Sequence, residues 1–340
     1  MNVSHLTGSL QVRPGQRPAL SGGRPALAAR LLRGHLPAAA VQRLPLLYSL
    51  CGRAHRLAAQ LAVHAALHGT ATPDATAQRA LHEDNRREHL RVLLLDWPRL
   101  LGEQPASPPG LDMPLDAWFE GSARDWLGHW HADPRQALAD WSSRGRHALA
   151  RLLHECRELA EGLQLPVQAL SADRMTLLAI GQQLASQADF DRAPHLQGEP
   201  RETGAWTRTR EAAPARYDSA WLRLGARLAD FVALSQADAM PLAAGALCLG
   251  EGQAIAWCET ARGLLLHRVR LQEGRIYDYQ VLAPTEWNLH PRGILARTLE
   301  NLPLDGSTRR RAELLLAVFD PCLGYHLDLA ATATGALCHA

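Results

Sequence analysis

At 340 residues, 47% of them hydrophobic, with a formal net charge of +2, the chain can bury a substantial core and reads as a globular protein of one large or two ordinary domains. All 36 basic residues are arginine, which excludes lysine Schiff-base chemistry and the lysine-bearing phosphate loop; the near balance with 34 acids argues against a dedicated nucleic-acid binder. No signal-like leader and no run of roughly 18 apolar residues occurs, so a cytoplasmic protein without a membrane span is expected. Its six cysteines (51, 156, 248, 258, 322 and 338) are then thiols or metal ligands rather than a disulfide framework.

Residues 9–13 alternate as a short strand, and R-P-A-L-A-A-R-L-L-R-G-H-L-P follows as a helix stopped near Gly34 and Pro37. Cys51 and Gly52 precede an Ala/Leu-rich helix that Gly69 ends. A helix over 76–101 carries a solvated face of Asp84, Arg86, Arg87 and Glu88, with Pro98 bending or ending it. One long helix is predicted over 134–162. Residues 187–216, rich in Asp, Arg, Glu, Pro and Gly and weakly periodic, are the candidate mobile loop or lid. After a helix over 219–233 come three strand-like runs, A-L-C-L-G-E-G-Q-A-I-A-W-C, L-L-L-H-R-V-R-L and R-I-Y-D-Y-Q-V-L. Helices over 293–301 and 307–318 follow, and F-D-P-C closes the second. The predicted fold is mainly α with a small antiparallel β portion (α+β), a helical-bundle body without internal repeats.

Two cysteines stand at element boundaries. Cys51 opens a predicted helix, where free backbone N–H groups and the helix dipole favour a thiolate, and His55 lies four residues on along the same face. A small buried packing residue is the alternative reading for any free cysteine. Cys322 follows Asp320-Pro321 directly; a turn explains those two residues but not the thiol. His326 repeats the Cys-to-His spacing, although catalytic pairs of that kind are defined in space.

Four segments, in order along the chain, resemble nickel-iron hydrogenase large subunits. F-D-P-C-L resembles their D-P-C-x-x-C-x-x-H ending, and L-L-R-G-H-L-P-A-A-A-V-Q-R-L-P-L-L-Y-S-L-C-G resembles the approach to their R-x-C-G-x-C motif. G-E-G-Q-A-I-A-W-C-E-T-A-R-G-L-L-L-H resembles G-E-G…E-A-P-R-G-x-L-x-H, and Y-Q-V-L-A-P-T-E-W-N resembles Y-Q-x-x-x-P-T-x-W-N. In that pattern the first cysteine of each pair binds nickel and the second bridges nickel to iron. The firsts are kept as Cys51 and Cys322; the seconds fall on Ala54 and Tyr325, the final histidine on Asp328, and a proton-relaying glutamate on Thr7. This set of kept and lost ligands resembles the HupK/HoxV-type hydrogenase maturation proteins, truncated relatives of the large subunit. The resemblance spans roughly the whole chain, 1–340, as one large-subunit-like domain, with no matched motif over about 100–240.

The resemblance implies a scaffold and not an enzyme. It would hold an iron bearing cyanide and carbonyl ligands transiently through Cys51 and Cys322, without nickel, since soft thiolates suit such iron. Its partners would be Hyp-type maturation proteins and the hydrogenase large-subunit precursor. Arg262, Pro284 and Thr285 match positions beside the cyanides; an ion pair of Arg262 with Glu259 and a plain strand-ending turn are the alternatives. His55 and His326 are further candidate thiolate partners or ligands. A metal-free chaperone and a thiol or residual redox enzyme are the other readings, the enzyme disfavoured by the absence of a coherent general-base constellation. Because the final histidine is missing, residues 330–340 are expected to stay attached where large-subunit precursors are trimmed. The intact mass of protein isolated from cells making active hydrogenase should include them, and loss of the tail would contradict the expectation.

Overall fold

The computed structural model describes residues 8–102, 114–187, 189–208 and 216–329; Thr7, Cys338 and the 330–340 tail lie outside them. β1 (Ser9–Val12) and β2 (Leu20–Gly23) pair as a hairpin, followed by α1 (Ala28–Leu32) and α2 (Ala38–Leu47). Cys51 ends a single 3-10 turn and stands at the N-cap of α3 (Gly52–His68). A Cβ at Gly52 would meet the Pro45 carbonyl oxygen at 3.0 Å, so glycine there lets α3 start hard against α2. α4 (Ala75–Arg91) is capped by Asp74, whose carboxylate accepts from the Ala77 N–H at 2.7 Å. Pro98 does not end this helix. The chain passes through a π-helical turn (Val92–Asp96) into α5 (Trp97–Leu101), with Pro98 in the first turn, where a missing N–H is tolerated.

α6 (Ala123–Ala132) lies in the stretch without matched motifs, and the helix expected over 134–162 is in fact two, α7 (Pro134–Arg144) and α8 (Ala148–Gly162). The Gly145 N–H closes α7 on the Trp141 carbonyl at 2.8 Å. A Cβ at Gly145 would meet that oxygen and Ala150 at 2.6 Å, and His147 Nδ1 then accepts from the Leu149 N–H at 3.3 Å to start α8. α9 (Arg174–Ser186) leads into the expected lid. Over 189–208 that segment is strapped to the body. β3 (His195–Leu196) pairs with β4 (Glu199–Pro200), and buried Glu202 accepts from Arg223 at 2.7 and 3.0 Å. The Thr203 N–H donates to Asn288 Oδ1 at 3.0 Å, and Arg208 Nε donates to Asp230 Oδ1 at 3.0 Å. Residues 188 and 209–215 lie outside the described residues.

α10 (Ala220–Leu234) is buried along most of its length. β5 (Ala244–Gly250), β6 (Gln253–Thr260), β7 (Gly263–Gln272) and β8 (Arg275–Leu282) form an antiparallel meander, so the first of the three expected strand runs is a hairpin of two. It turns at Glu251-Gly252, where Gly252 takes a positive φ and a Cβ would sit 2.7 Å from the Leu271 carbonyl oxygen. α11 (Pro284–Asn288), α12 (Ile294–Glu300) and α13 (Thr308–Phe319) lead to β9 (Gly324–Leu327), which pairs parallel to β1.

Period-two alternation decides the layers. Ala254, Ala256 and Cys258 of β6 face α3 through Ala54, Ala58, Leu61 and Ala62, whereas Ile255 faces α9 through Leu177 and Ile180. Tryptophans 97, 126, 130, 141 and 221 fill the main helical core. Among the described residues no helix is long and apolar enough to cross a membrane.

The turn between β6 and β7 explains the glycine of T-A-R-G. Thr260 pairs with Gly263, leaving Ala261 and Arg262 as the turn residues, and Thr260 Oγ1 donates to the Gly263 carbonyl at 2.8 Å. Gly263 has φ +125°, and a Cβ would lie 2.5 Å from Thr203 Oγ1 and 2.9 Å from the Gly204 nitrogen. Gly263→Ala is therefore expected to cost about 2 kcal/mol or more of stability, read as a lower urea midpoint at unchanged slope. An unchanged midpoint would show that the strap over 189–208 yields easily.

Candidate functional site

The small sheet runs β2-β1-β9, and Ser9 at the start of β1 lies opposite both Gly23 and Gly324. Arg24 leaves β2 and Cys322 enters β9 at that same end. The Arg24 guanidinium donates to Cys322 Sγ at 2.9 Å and to its carbonyl oxygen at 3.1 Å. Thr285 Oγ1, in the first turn of α11, is hydrogen-bonded to the same sulfur at 2.9 Å. Buried Pro284 opens that helix with its fixed φ and so sets the turn that presents Thr285.

Cys51 and Cys322, both half-buried, line one pocket of about 110 Å³ together with Arg24, Tyr48 and Leu50. A thiolate at Cys51 was expected from its place at a helix start. Burial wins instead: desolvation, with the neighbouring Cys322, pushes the Cys51 thiol up to about 12, against the opposing Arg262 and Arg24 charges. Cys51 is thus held as a neutral thiol.

His55 sits beneath the pocket rather than in it. Its ring stacks on Tyr48 with centroids 4.2 Å apart, and Arg24 lies over Tyr48 at 5.1 Å. His55 Nδ1 is hydrogen-bonded to His267 Nε2 at 3.0 Å, and His267 Nδ1 to Tyr279 Oη at 2.8 Å. Burial keeps both rings neutral, His55 well below the usual histidine range and His267 at about 3. His326 is not brought to the pocket: it is an exposed residue of β9, in register with Gln11.

Arg262 is a buried ion-pair residue, but its partners are not Glu259. Its guanidinium meets Glu88 at 2.6 Å and Asp320 at 3.1 Å, and Arg227 meets the same Asp320 carboxylate at 3.0 Å. Burial works against the Arg262 charge, yet Asp320 and Glu88 outweigh it and hold the proton more firmly than usual. Asp320 ends α13 with φ 42° and ψ 64°, a left-handed conformation that aspartate tolerates better than most residues. In F-D-P-C, then, Asp320 terminates the helix and anchors two arginines immediately before the thiol.

The residues standing where the hydrogenase pattern has its second cysteines and final histidine have structural partners. Ala54 is buried, and its carbonyl accepts from the Cys258 thiol at 3.5 Å. Tyr325 packs against the main core. Asp328 donates its N–H to the Val12 carbonyl at 2.9 Å, and its carboxylate lies 3.6 Å from Arg13. Sequence reasoning missed Arg24, Tyr48, Glu88 and Asp320 as parts of the site. Only the unusual G-G-R-P stretch and the helix-ending Asp-Pro marked two of them.

The nickel-dependent hydrogenase family matches residues 233–324, a span that includes Arg262, Thr285 and Cys322. The Ni-Fe-Se hydrogenase of D. vulgaris Hildenborough superposes with a TM-score of 0.57 at 16% identity, covering 90% of this chain and 92% of that one. The fold is that of a nickel-iron hydrogenase large subunit, with an α+β composition. The hydrogenase expression/formation protein HoxV of Cupriavidus necator is 40% identical over 96% of this chain and 96% of its own length. HupK of Azotobacter vinelandii is 32% identical over 88% of this chain and 90% of its own length. The chain belongs to this HoxV/HupK family of hydrogenase expression/formation proteins, and its role lies in hydrogenase maturation.

Beyond Arg24 lies a second, larger cleft of about 590 Å³, whose wall includes Arg24, Thr285 and Glu286. Glu286 accepts from the Ala283 N–H at 2.9 Å, and burial pushes its carboxyl up to about 7 against the opposing Arg24 charge. Between the ordinary carboxylate range and about 7 the folded state therefore holds a proton that the unfolded state has released, and stability falls as pH rises through that window. Glu286→Gln, which keeps an acceptor for Ala283, should flatten the urea midpoint between about pH 5 and 7. A variant retaining the parent's slope there would refute this assignment.

Proposed function

We propose that the protein carries an iron unit bearing cyanide and carbonyl ligands, holding it between Cys51 and Cys322 and releasing it to the hydrogenase large-subunit precursor. The observation that carries this reading is the convergence of two thiols from opposite ends of the chain on one pocket, with an arginine and a hydroxyl already directed at one sulfur. At about 110 Å³ the pocket suits a small inorganic complex and falls well short of the several hundred Å³ of an organic cofactor site. Among the described residues no three His, Cys, Asp or Glu side chains form a metal-binding group. Two protein donors are too few for a bare transition metal, which takes four or more, but suit an iron that arrives with most of its ligands in place.

The residues divide the work accordingly. Cys51 and Cys322 supply the two sulfur donors, and each thiol that is protonated gives its proton to solvent on capture. Arg24 and Thr285, which both meet the Cys322 sulfur at 2.9 Å, would turn N–H and O–H donors to cyanide nitrogen on loading, as polar groups around a metal unit commonly do. Arg262, engaged by Glu88 and Asp320, fixes the approach to Cys322 and adds positive charge nearby. Ala54 and Tyr325 offer no bridging thiolate, so the hold is reversible and non-catalytic. Hyp-type maturation proteins are the source of the cargo on this reading. A metal-free assembly chaperone is the second reading, favoured by the neutral Cys51 thiol.

Infrared spectroscopy separates the two. Protein purified anaerobically from cells containing the maturation machinery should show cyanide and carbonyl stretches. Cys51→Ala and Cys322→Ala should each remove them, Cys156→Ala should leave them, and Arg24→Ala should shift the cyanide bands. Oxygen-protected protein without any such bands would overturn the carrier and leave the chaperone.

A further inference from the structure

The near-neutral total hides a one-sided distribution. Residues 1–73 hold eight of the 36 arginines and none of the 34 acidic residues; Asp74 is the first acid in the chain. The fold brings part of this basic portion to the mouth of the thiol pocket. Ser49 and Leu50 line that pocket and also a neighbouring surface depression of about 600 Å³, whose walls include Leu46, Arg53, Arg56 and Asp84. Leu46 is 81% exposed and Leu50 51% exposed, although α2 buries Ala40 and Leu44 on its other side. Arg53 and Arg56 are exposed on the first turns of α3, and Asp84, the one acid lining the depression among the described residues, lies 3.7 Å from Arg53.

Large exposed leucines beside arginines, next to the thiol pocket, have the make-up of an interface: an apolar centre with a charged rim. We propose that this face docks a partner protein bearing an acidic surface with protruding apolar side chains, which covers the mouth of the thiol pocket while cargo passes. The proposal rests on the reading of that pocket as a transfer site. Charge selects the occupant. A second copy of this chain would set Arg53 and Arg56 against the same two arginines with only Asp84 on each side to offset them, and like charges across an interface oppose association. Nucleic acid would leave Leu46 and Leu50 uncovered by anything apolar. A lipid surface takes protruding apolar wedges, whereas these leucines line a depression.

A photocrosslinking amino acid placed at Leu46 or Leu50 of the full chain, in cells producing the hydrogenase system, tests the proposal; Met175 of α9, also exposed, is the control position. Crosslinks from Leu46 and Leu50, absent from Met175, are expected to map by mass spectrometry to an acidic stretch of another protein. Binding of that purified protein should weaken on the order of tenfold with Arg56→Glu, more with Arg53→Glu added, and should fall with added salt. Because Arg53→Glu also disturbs Asp84, Arg56→Glu alone decides if the double variant misfolds. Crosslinks to a second copy or to residues 330–340 would overturn the proposal. So would a partner whose binding ignores both charge reversals, or tighter binding of purified RNA or anionic vesicles than of any protein. Infrared bands without these crosslinks would overturn the docking face and leave the carrier standing. Crosslinks without bands would do the reverse.

Discussion

The parallel pairing of β9 with β1 is the constraint on which the site depends. A hairpin turn can join β1 to β2, but no turn can join strands from the two ends of a chain this long, so closing them costs loop entropy that local structure does not repay. The repayment comes from side chains that converge there. Asp328 bonds the Val12 carbonyl and pairs with Arg13 beyond one end of β9, while Arg24 grips Cys322 before the other. With Ser9 opposite both Gly23 and Gly324, strand register brings Arg24 and Cys322 to the same end of the sheet, where the arginine side chain spans to the sulfur. A slip of one residue would separate them and turn every side chain of β9 to the opposite face.

Asp320 gives this closure its rigidity. A buried carboxylate shared by Arg227 and Arg262, with Arg262 also held by Glu88, ties the end of α13 to α10, to the β6–β7 turn and to α4. Removing one member of such a group leaves uncompensated buried charge and costs about 3–5 kcal/mol, so the net acts as a lock even where its formation contributes little stability. Gly263 belongs to the same device, since only its left-handed backbone allows Arg262 to sit at the tip of so tight a turn. Cys322 consequently enters the pocket from a backbone fixed on three sides, as a preorganised donor would on the proposed reading.

Much of this was legible in the sequence, and what was not has a physical cause. The helices of strong period, the meander and the boundary positions of Cys51 and Cys322 could be read because they depend on local spacing. The break at Gly145 could not, because it rests on contacts with Trp141 and Ala150 that periodicity does not encode. The strap over 189–208 reads as loop because its order comes from buried Glu202, Thr203 and Arg208, whose partners lie on other elements. Arg24 was invisible for the same reason: its meaning lies in a sulfur 298 positions away. The Cys51 thiol shows the converse error. Its helix start favours a thiolate, but desolvation in a pocket shared with Cys322 is the larger effect.

The residues standing where the hydrogenase pattern has its second cysteines and final histidine show what joins the two ends of the chain. In the hydrogenase pattern four thiolates and two metals cross-link the ends of the chain. Here the ends are joined by strand pairing, by the Asp328 and Arg13 charges and by the packing of Tyr325 on the core, while Ala54 seals α3 against Cys258. In a structural metal site, binding energy is folding energy, and release therefore means unfolding. On the proposed reading, a fold closed by its own contacts would release cargo and keep its shape, the property that a carrier needs and an enzyme with a permanent centre does not.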